Sequence, residues 1–262
     1  MSENDGQGHG LKSLDTALSV LALMVRFNGP RSLSDIAREC GMPPSKVHRY
    51  LASFVQAGLV KQEGKSGRYD IGPEAMQLGL AAIARHDFVN YAADRLDELC
   101  SETGMTVLLS VWANQGATVV RWERGATPTD TSMGLGTTLP LLNSATGRAF
   151  LAWAPERAVE NAREAQLRRA SRNPAITPDL TPTRAGISDM VKRTRERGFA
   201  SVEGKFIPGL VAAAAPVLDW QNEAQAVITL VGVDPASIAP GAAAVEALLA
   251  YCRDRSVTRT PS

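Results

Sequence analysis

Cysteine and histidine are scarce in this chain, and it lacks long apolar runs and any large excess of charge of one sign. The cysteines are Cys40, Cys100 and Cys252, odd in number, far apart and without a C-x-x-C pair. That pattern points to neither a disulfide framework nor a thiolate zinc site, and it suits a reducing cytoplasm. His9, His48 and His86 share no ligand spacing, so no metal is expected. The longest apolar runs, LGLAAIA and LVAAAAPVL, fall short of the roughly 18 residues a membrane span needs. The first ten residues, MSENDGQGHG, carry none of the apolar stretch of a signal peptide. A soluble, cytoplasmic protein with no membrane partner is the expectation. No G-x-S-x-G nucleophile turn occurs, and Gly134-Leu135-Gly136 lacks the third glycine and the lysine of a phosphate loop. No catalytic residues and no cofactor are therefore assigned. Carboxylates paired from remote parts of the chain are the one enzymatic chemistry this leaves open.

Net charge is +1, from 28 basic and 27 acidic side chains, so any nucleic-acid surface must be a local asymmetry inside a neutral average. What is present is ordinary globular composition, 44% hydrophobic and 21% charged over 262 residues. At about 150 residues per domain, that length gives one large domain or two modest ones.

The organisation emerges from punctuation. Residues 1–10 read as a disordered tail. Leu14, Leu18, Leu21 and Val25 recur at helical spacing until Asn28-Gly29-Pro30 stops them. LSDIAREC reads as a two-turn helix with Ser34 as N-cap, Asp35 in the first turn, and Ile36, Ala37 and Cys40 inward. Past Gly41-Met42-Pro43, Pro44 opens a third helix whose Val47, Tyr50, Leu51 and Phe54 form one apolar face. Two short helices across a glycine-containing turn outline a helix-turn-helix, with the last helix as reader. LVKQEG and GRYDIG around Lys65-Ser66 supply the hairpin of a winged variant.

Placing residues about 100° apart puts Ser45, Arg49 and Ala52 at the centre of the third helix's outer face, flanked by Lys46, His48 and Ser53. From Pro44 to Arg68 five basic residues, Lys46, Arg49, Lys61, Lys65 and Arg68, stand against Glu63, a local +4 that leaves −3 for the rest of the chain. Neutralising phosphates with Lys and Arg is the main sequence-independent source of DNA affinity. The candidate DNA contacts are Ser34, Ser45, Lys46, His48, Arg49, Lys65 and Arg68. A solvated basic face, or a winged helix that contacts protein instead, is the competing reading.

Residues 11–72 thus form a winged helix-turn-helix domain. Residues 73–87, opening PEAMQLGLAAIARH, read as a linker and dimerisation helix, apolar on most sides and in need of a partner surface. Residues 88–254 are of another kind. A helix is expected from Asp87 to Gly104, strands in TVLLSVW, ATVVRWER, LVAAAAPVLDW and AQAVITLVGV, and helices over 144–153, 156–169, 184–197 and 242–251. This is α+β layering, an antiparallel sheet with flanking helices. Residues 255–262 read as a second disordered tail.

GMPPSKVHRYLASFVQAGLV followed by GRYDIG resembles the winged helix-turn-helix of the isocitrate-lyase-regulator (IclR) family of bacterial transcription factors. LGTTLPLLNSATGRAFLA and RERGFASVEGKFIPGLVAAAAPVLD look like that family's effector-binding domain. The resemblance, carried by three ordered motifs at family-like spacing, extends from about Leu11 to Cys252, nearly the whole chain. The resemblance implies a GAF-like sensor domain, a linker helix that pairs subunits, and a homodimer or dimer of dimers on double-stranded operator DNA. It implies an effector site at Leu139, Ala145, Thr146, Val202, Leu210, Ala212, Thr229 and Val231. Independently, Asn143-Ser144-Ala145-Thr146-Gly147 would be a helix N-terminus suited to a carboxylate, so a small organic acid is the natural effector. Val202 and Ala212 stand where members that bind very small oxo-acids carry an acidic group and a thiol or hydroxyl. An aromatic or medium-sized apolar acid is favoured, with Trp112 and Trp122 as candidate stacking walls. The function implied is a ligand-responsive regulator, more often a repressor, of a catabolic operon.

Overall fold

The computed structural model describes residues 11–64, 66–85, 87–114, 116–126, 133–204 and 207–257. The expected tail at residues 1–10 and all but the start of that at 255–262 lie outside them. The chain divides into two compact units, one ending at His86 and one beginning at Asp87.

The N-terminal unit opens with α1 (Lys12–Val25), α2 (Leu33–Glu39) and α3 (Pro44–Gln56). A short hairpin follows, β1 (Val60–Gln62) on β2 (Tyr69–Ile71), then α4 (Pro73–Arg85). Val20, Ile36, Val47, Leu51 and Val60 make one core in which every element from α1 to β1 contributes. The N-cap of α2 is Ser32 and not Ser34. Ser32 Oγ accepts from Asp35 N at 3.2 Å and donates to the Asp35 carboxylate at 2.7 Å, a reciprocal cap that holds the carboxylate below its ordinary pKa. The leucines that signal α1 are also not the ones it buries. Ala17, Val20 and Met24 pack inward, while Leu14, Leu18 and Val25 are exposed. Met76, Leu78 and Leu80 of α4 are exposed likewise. At the base of the hairpin Gly72 is packed so closely that a Cβ would sit 2.1 Å from the Gly58 carbonyl oxygen. A single bridge, Arg31 to Tyr69, adds a third strand-like contact to the hairpin.

The C-terminal unit is a six-stranded antiparallel sheet in the order β5-β4-β3-β8-β7-β6. Its strands are β3 (Thr106–Ala113), β4 (Gly116–Glu123), β5 (Thr138–Leu139), β6 (Ala200–Glu203), β7 (Val211–Leu218) and β8 (Ala224–Gly232). One face carries α5 (Phe88–Ala93), α6 (Leu96–Thr103) and α10 (Ala243–Arg255). The other carries α7 (Ala145–Trp153), α8 (Glu156–Arg172) and α9 (Arg184–Arg197).

Two expectations are corrected here. The helix expected from Asp87 to Gly104 is two helices, broken at Asp94 and Arg95, the latter left-handed at φ 60°. The cause is distant in sequence: the Tyr251 hydroxyl reaches the carbonyls of Ala92 and Asp94 at 2.8 and 2.9 Å, and the Arg255 guanidinium donates twice to that of Asp94. Those carbonyls are held for α10 rather than for a continuing helix. For the same reason Arg255 is not part of a tail; it is buried in α10, with its guanidinium 3.7 Å over the Tyr251 ring. The stretch Pro235–Arg255 is the one described segment long and apolar enough to span a bilayer by length and composition. It folds as a 3-10 turn (Pro235–Ile238) and the separate α10, whose Val245, Leu248, Tyr251 and Cys252 are buried.

Candidate functional sites: an outward helix face and an apolar cavity

The first candidate surface is built by α3. Its apolar residues at 47, 51 and 54 are consumed by the core, so the opposite side must face outward. Ser45, His48, Arg49, Ala52 and Ser53 are exposed and Lys46 is half-buried. Among the described residues the side chains of Lys46, Arg49 and Arg68 form no ion pair. Lys61 does, to Asp70 directly across the hairpin at 3.5 Å, which removes one of the five local cations from play. Ser34, displaced from the capping role, is exposed in the first turn of α2. Arg68 follows Ser66, whose hydroxyl donates to Glu63 at 2.8 Å. Lys65 lies outside the described residues.

The second candidate site lies in the C-terminal unit, where α7 starts beside the sheet. Strands β3, β8, β7 and β6 run side by side, with Leu108 opposite Thr229, Val231 opposite Ala212 and Ala212 opposite Val202. Because side chains alternate across a strand, all of these point to the same face. They line a cavity of about 40 Å³ with Met133, Leu139, Ser144, Ala145, Thr146, Ile207, Leu210 and Val211. All eight residues implied as an effector site are thus gathered around one cavity. Ser144, expected at the helix N-terminus beside the effector, joins them, and so do Leu108, Met133, Ile207 and Val211, which were not foreseen. At roughly 10–15 Å³ per water-sized sphere the free space holds about three waters. A larger guest must displace side chains, and Met133, half-buried with three rotatable bonds, is the most adaptable of them.

The polar end of this cavity is the start of α7. Ser144 Oγ accepts from Gly147 N at 2.9 Å and donates to the Pro140 carbonyl at 2.5 Å. That leaves the N–H groups of Ala145 and Thr146 without an acceptor among the described residues, at the positive end of the helix dipole. The Thr146 and Thr229 hydroxyls satisfy each other at 2.8 Å. Gly147 permits the arrangement, since a Cβ there would stand 2.2 Å from the Pro140 carbonyl oxygen and 2.4 Å from the Leu141 Cα. Arg148, next in sequence, is buried and locks the turn from behind. Its Nε donates to the Leu142 carbonyl at 2.8 Å, and its two terminal nitrogens grip Asp179 at 2.8 and 2.9 Å. No sequence pattern announces this pair.

Neither tryptophan lines the cavity. Trp112 packs its ring 5.6 Å from that of Phe150. Trp122 stands opposite the lining residue Leu108 on the neighbouring strand, and among the described residues its buried indole Nε1 has no partner, nor has Ser110 Oγ on the same sheet face. The buried thiols of Cys100 and Cys252 are both pushed up in pKa, chiefly by burial, which makes them poor nucleophiles. Among the described residues no cluster of His, Cys, Asp or Glu is placed to hold a metal.

Comparison with known proteins decides what this pair of units is. Residues 13–64 match the IclR helix-turn-helix domain, and residues 80–254 match the domain described as bacterial transcriptional regulator IclR C-terminal. The chain belongs to the IclR family of bacterial transcriptional regulators. It is similar to the crystal structure of HmgR from Pseudomonas aeruginosa, at 35% identity and a TM-score of 0.81, over 94% of this chain and 97% of that one. It is 28% identical over 209 residues to the glycerol operon regulatory protein of Streptomyces coelicolor, spanning 80% of each chain. It is 27% identical over 224 residues to the transcriptional repressor IclR of Escherichia coli K12, covering 85% of this chain and 80% of that one. As an IclR-family member the protein is a DNA-binding transcriptional regulator.

Proposed function

We propose that the protein is a cytoplasmic, ligand-responsive repressor of a catabolic operon whose effector is an aromatic or otherwise apolar organic acid held at the α7 cavity. The observation that carries this reading is the character of the lining: aliphatic and alanine side chains on nearly every side, with two free helix N–H groups at one end. Apolar walls select a hydrocarbon body; the helix terminus and the Thr146–Thr229 hydroxyls meet a carboxylate. A very small polar acid would press its polar groups against that apolar wall without hydrogen-bond partners.

On the DNA side, Ser45, His48 and Arg49 read base edges in the major groove from the exposed face of α3, while Ser34, Lys46, Lys65 and Arg68 hold phosphates. Residues 11–72 form the DNA-binding part, 73–87 the linker and 88–254 the effector-binding part. One reading helix covers only a few base pairs, so specificity calls for two. The uncovered leucines of α1 and the apolar surface of α4 support pairing with a second copy, as a dimer or dimer of dimers. Effector binding then biases how the paired subunits are oriented, and α4 passes this on to the spacing of the reading helices.

The test joins both ends. A thermal-shift series of carboxylic acids should show stabilisation by aromatic or branched apolar acids and not by two- or three-carbon oxo-acids. The stabilising acid should also change affinity for the upstream intergenic DNA. Ala212→Leu, which fills the cavity, should abolish both responses while leaving DNA binding intact. Stabilisation by small oxo-acids alone, or a response that survives Ala212→Leu, would overturn the reading.

A further inference from the structure

A second cavity, of about 340 Å³, lies on the other side of Leu139, among β5, α8 and the 3-10 turn Pro174–Ile176. It differs from the first in carrying several polar side chains beside its apolar ones. Thr177 is 1% exposed, yet among the described residues its hydroxyl has no partner. The deficit is confined to the side chain, because Thr177 N donates to the Pro174 carbonyl at 3.0 Å and its own carbonyl accepts from Leu180 N at 3.1 Å. Gln166 faces the same space with its orientation fixed. Its Oε1 accepts from Leu141 N at 2.9 Å and Leu142 N at 3.3 Å, so the unengaged end is the NH₂ donor. Arg169 and Asn143 also line the cavity, and among the described residues neither side chain has a hydrogen-bond or ion-pair partner. No acidic residue lines it. The contrast with Arg148, fully paired nearby, is instructive: the chain does supply a carboxylate where a guanidinium is structural.

A hydroxyl, a carboxamide and a guanidinium, each with a donor to give, border one cavity with no anion of the protein's own to receive them. A buried unsatisfied polar group is costly, and several donors without a carboxylate beside them fit an oxygen-rich anion. We infer that this cavity is a second ligand site, taking a small oxyanion, either a carboxylate or a phosphate, independently of the apolar effector cavity. Leu139 lines both cavities, and Asn143 immediately precedes the Ser144 cap of α7, so the two sites are neighbours with otherwise separate linings.

The experiment is calorimetric titration of the full-length protein with inorganic phosphate and, separately, acetate, at constant ionic strength. One of the two should bind and so identify the source of the oxyanion. Arg169→Gln should weaken it at least about tenfold, as befits loss of a charge-assisted bond, and Thr177→Val by roughly a few-fold. Ala212→Leu should leave it unchanged, which separates this site from the proposed effector cavity. Arg169 is exposed, so its variant should melt as the wild type does without anion. Absence of binding by both anions, wild-type affinity in both variants, or a crystal soaked in phosphate that shows only water on Thr177 Oγ1 would each overturn the inference.

Discussion

The two faces of the six-stranded sheet are built to different rules. Against α5, α6 and α10 the strands present Val107, Leu109, Val211, Ala213, Ala215, Val217, Ala226, Ile228 and Leu230, every one apolar and buried. Against α7, α8 and α9 the same strands present Leu108, Val227, Val231 and Ala214, but also all three buried polar residues of the sheet, Thr106, Ser110 and Thr229. The first face is close-packed. The second holds the cavity, the orphaned Ser110 and Trp122 atoms and the buried Arg148–Asp179 pair. A single sheet thus has one face filled and the other left with free volume and unsatisfied polar groups, and the proposed effector cavity lies on the incomplete side.

That division can be broken most visibly from the filled side. Leu248→Ala, at a position with 0% exposure on α10, should cost about 3–5 kcal/mol from lost transfer and residual cavity. In a unit of this size each kcal/mol moves the midpoint by about 2–4 °C. Denaturant titration should show that loss, while the protein that remains folded binds effector as before. Asp179→Ala comes next, since it strands the buried Arg148. Asp179 is about a third exposed, which reduces the penalty to about 2 kcal/mol. Unlike Leu248→Ala it should also weaken effector binding, because Arg148 fixes the turn that starts α7. Thr229→Val is the smallest change. It should cost about 1 kcal/mol by leaving the Thr146 hydroxyl unpaired, yet alter effector affinity more than stability. If Thr229→Val and Leu248→Ala shifted the melting point and the effector affinity in the same proportion, the separation between faces would be lost.

How much of this was written in the sequence depends on how local each cause is. The helices and hairpin of the N-terminal unit were legible because each carries its own punctuation within a few residues, such as Asn28-Gly29-Pro30 and Pro44. The N-cap was misplaced by two residues because Ser32 and Ser34 are equally good candidates until the Asp35 side chain is seen to close on one of them. The break between α5 and α6 was not legible at all: it is caused by Tyr251 and Arg255, some 160 residues downstream. Strands β5 and β6, of two and four residues, are too short to show an alternation of their own. The cavity draws its lining from β3, β5, α7, β6, β7 and β8, a set that periodicity cannot assemble. The motif resemblance named eight of its residues; hydropathy patterning alone named none. Trp112 and Trp122 were singled out for their size, and Trp112 is occupied instead with Phe150.

The clasp of Tyr251 and Arg255 on Ala92 and Asp94 has a mechanical side. It fastens the first helix of the C-terminal unit to the last, so a pull or twist arriving along the chain at Asp87 is divided between α10 and the strands β3 and β8 on which α5 also packs. Helices tied in this way move as one piece, and a displacement of either is felt by the other.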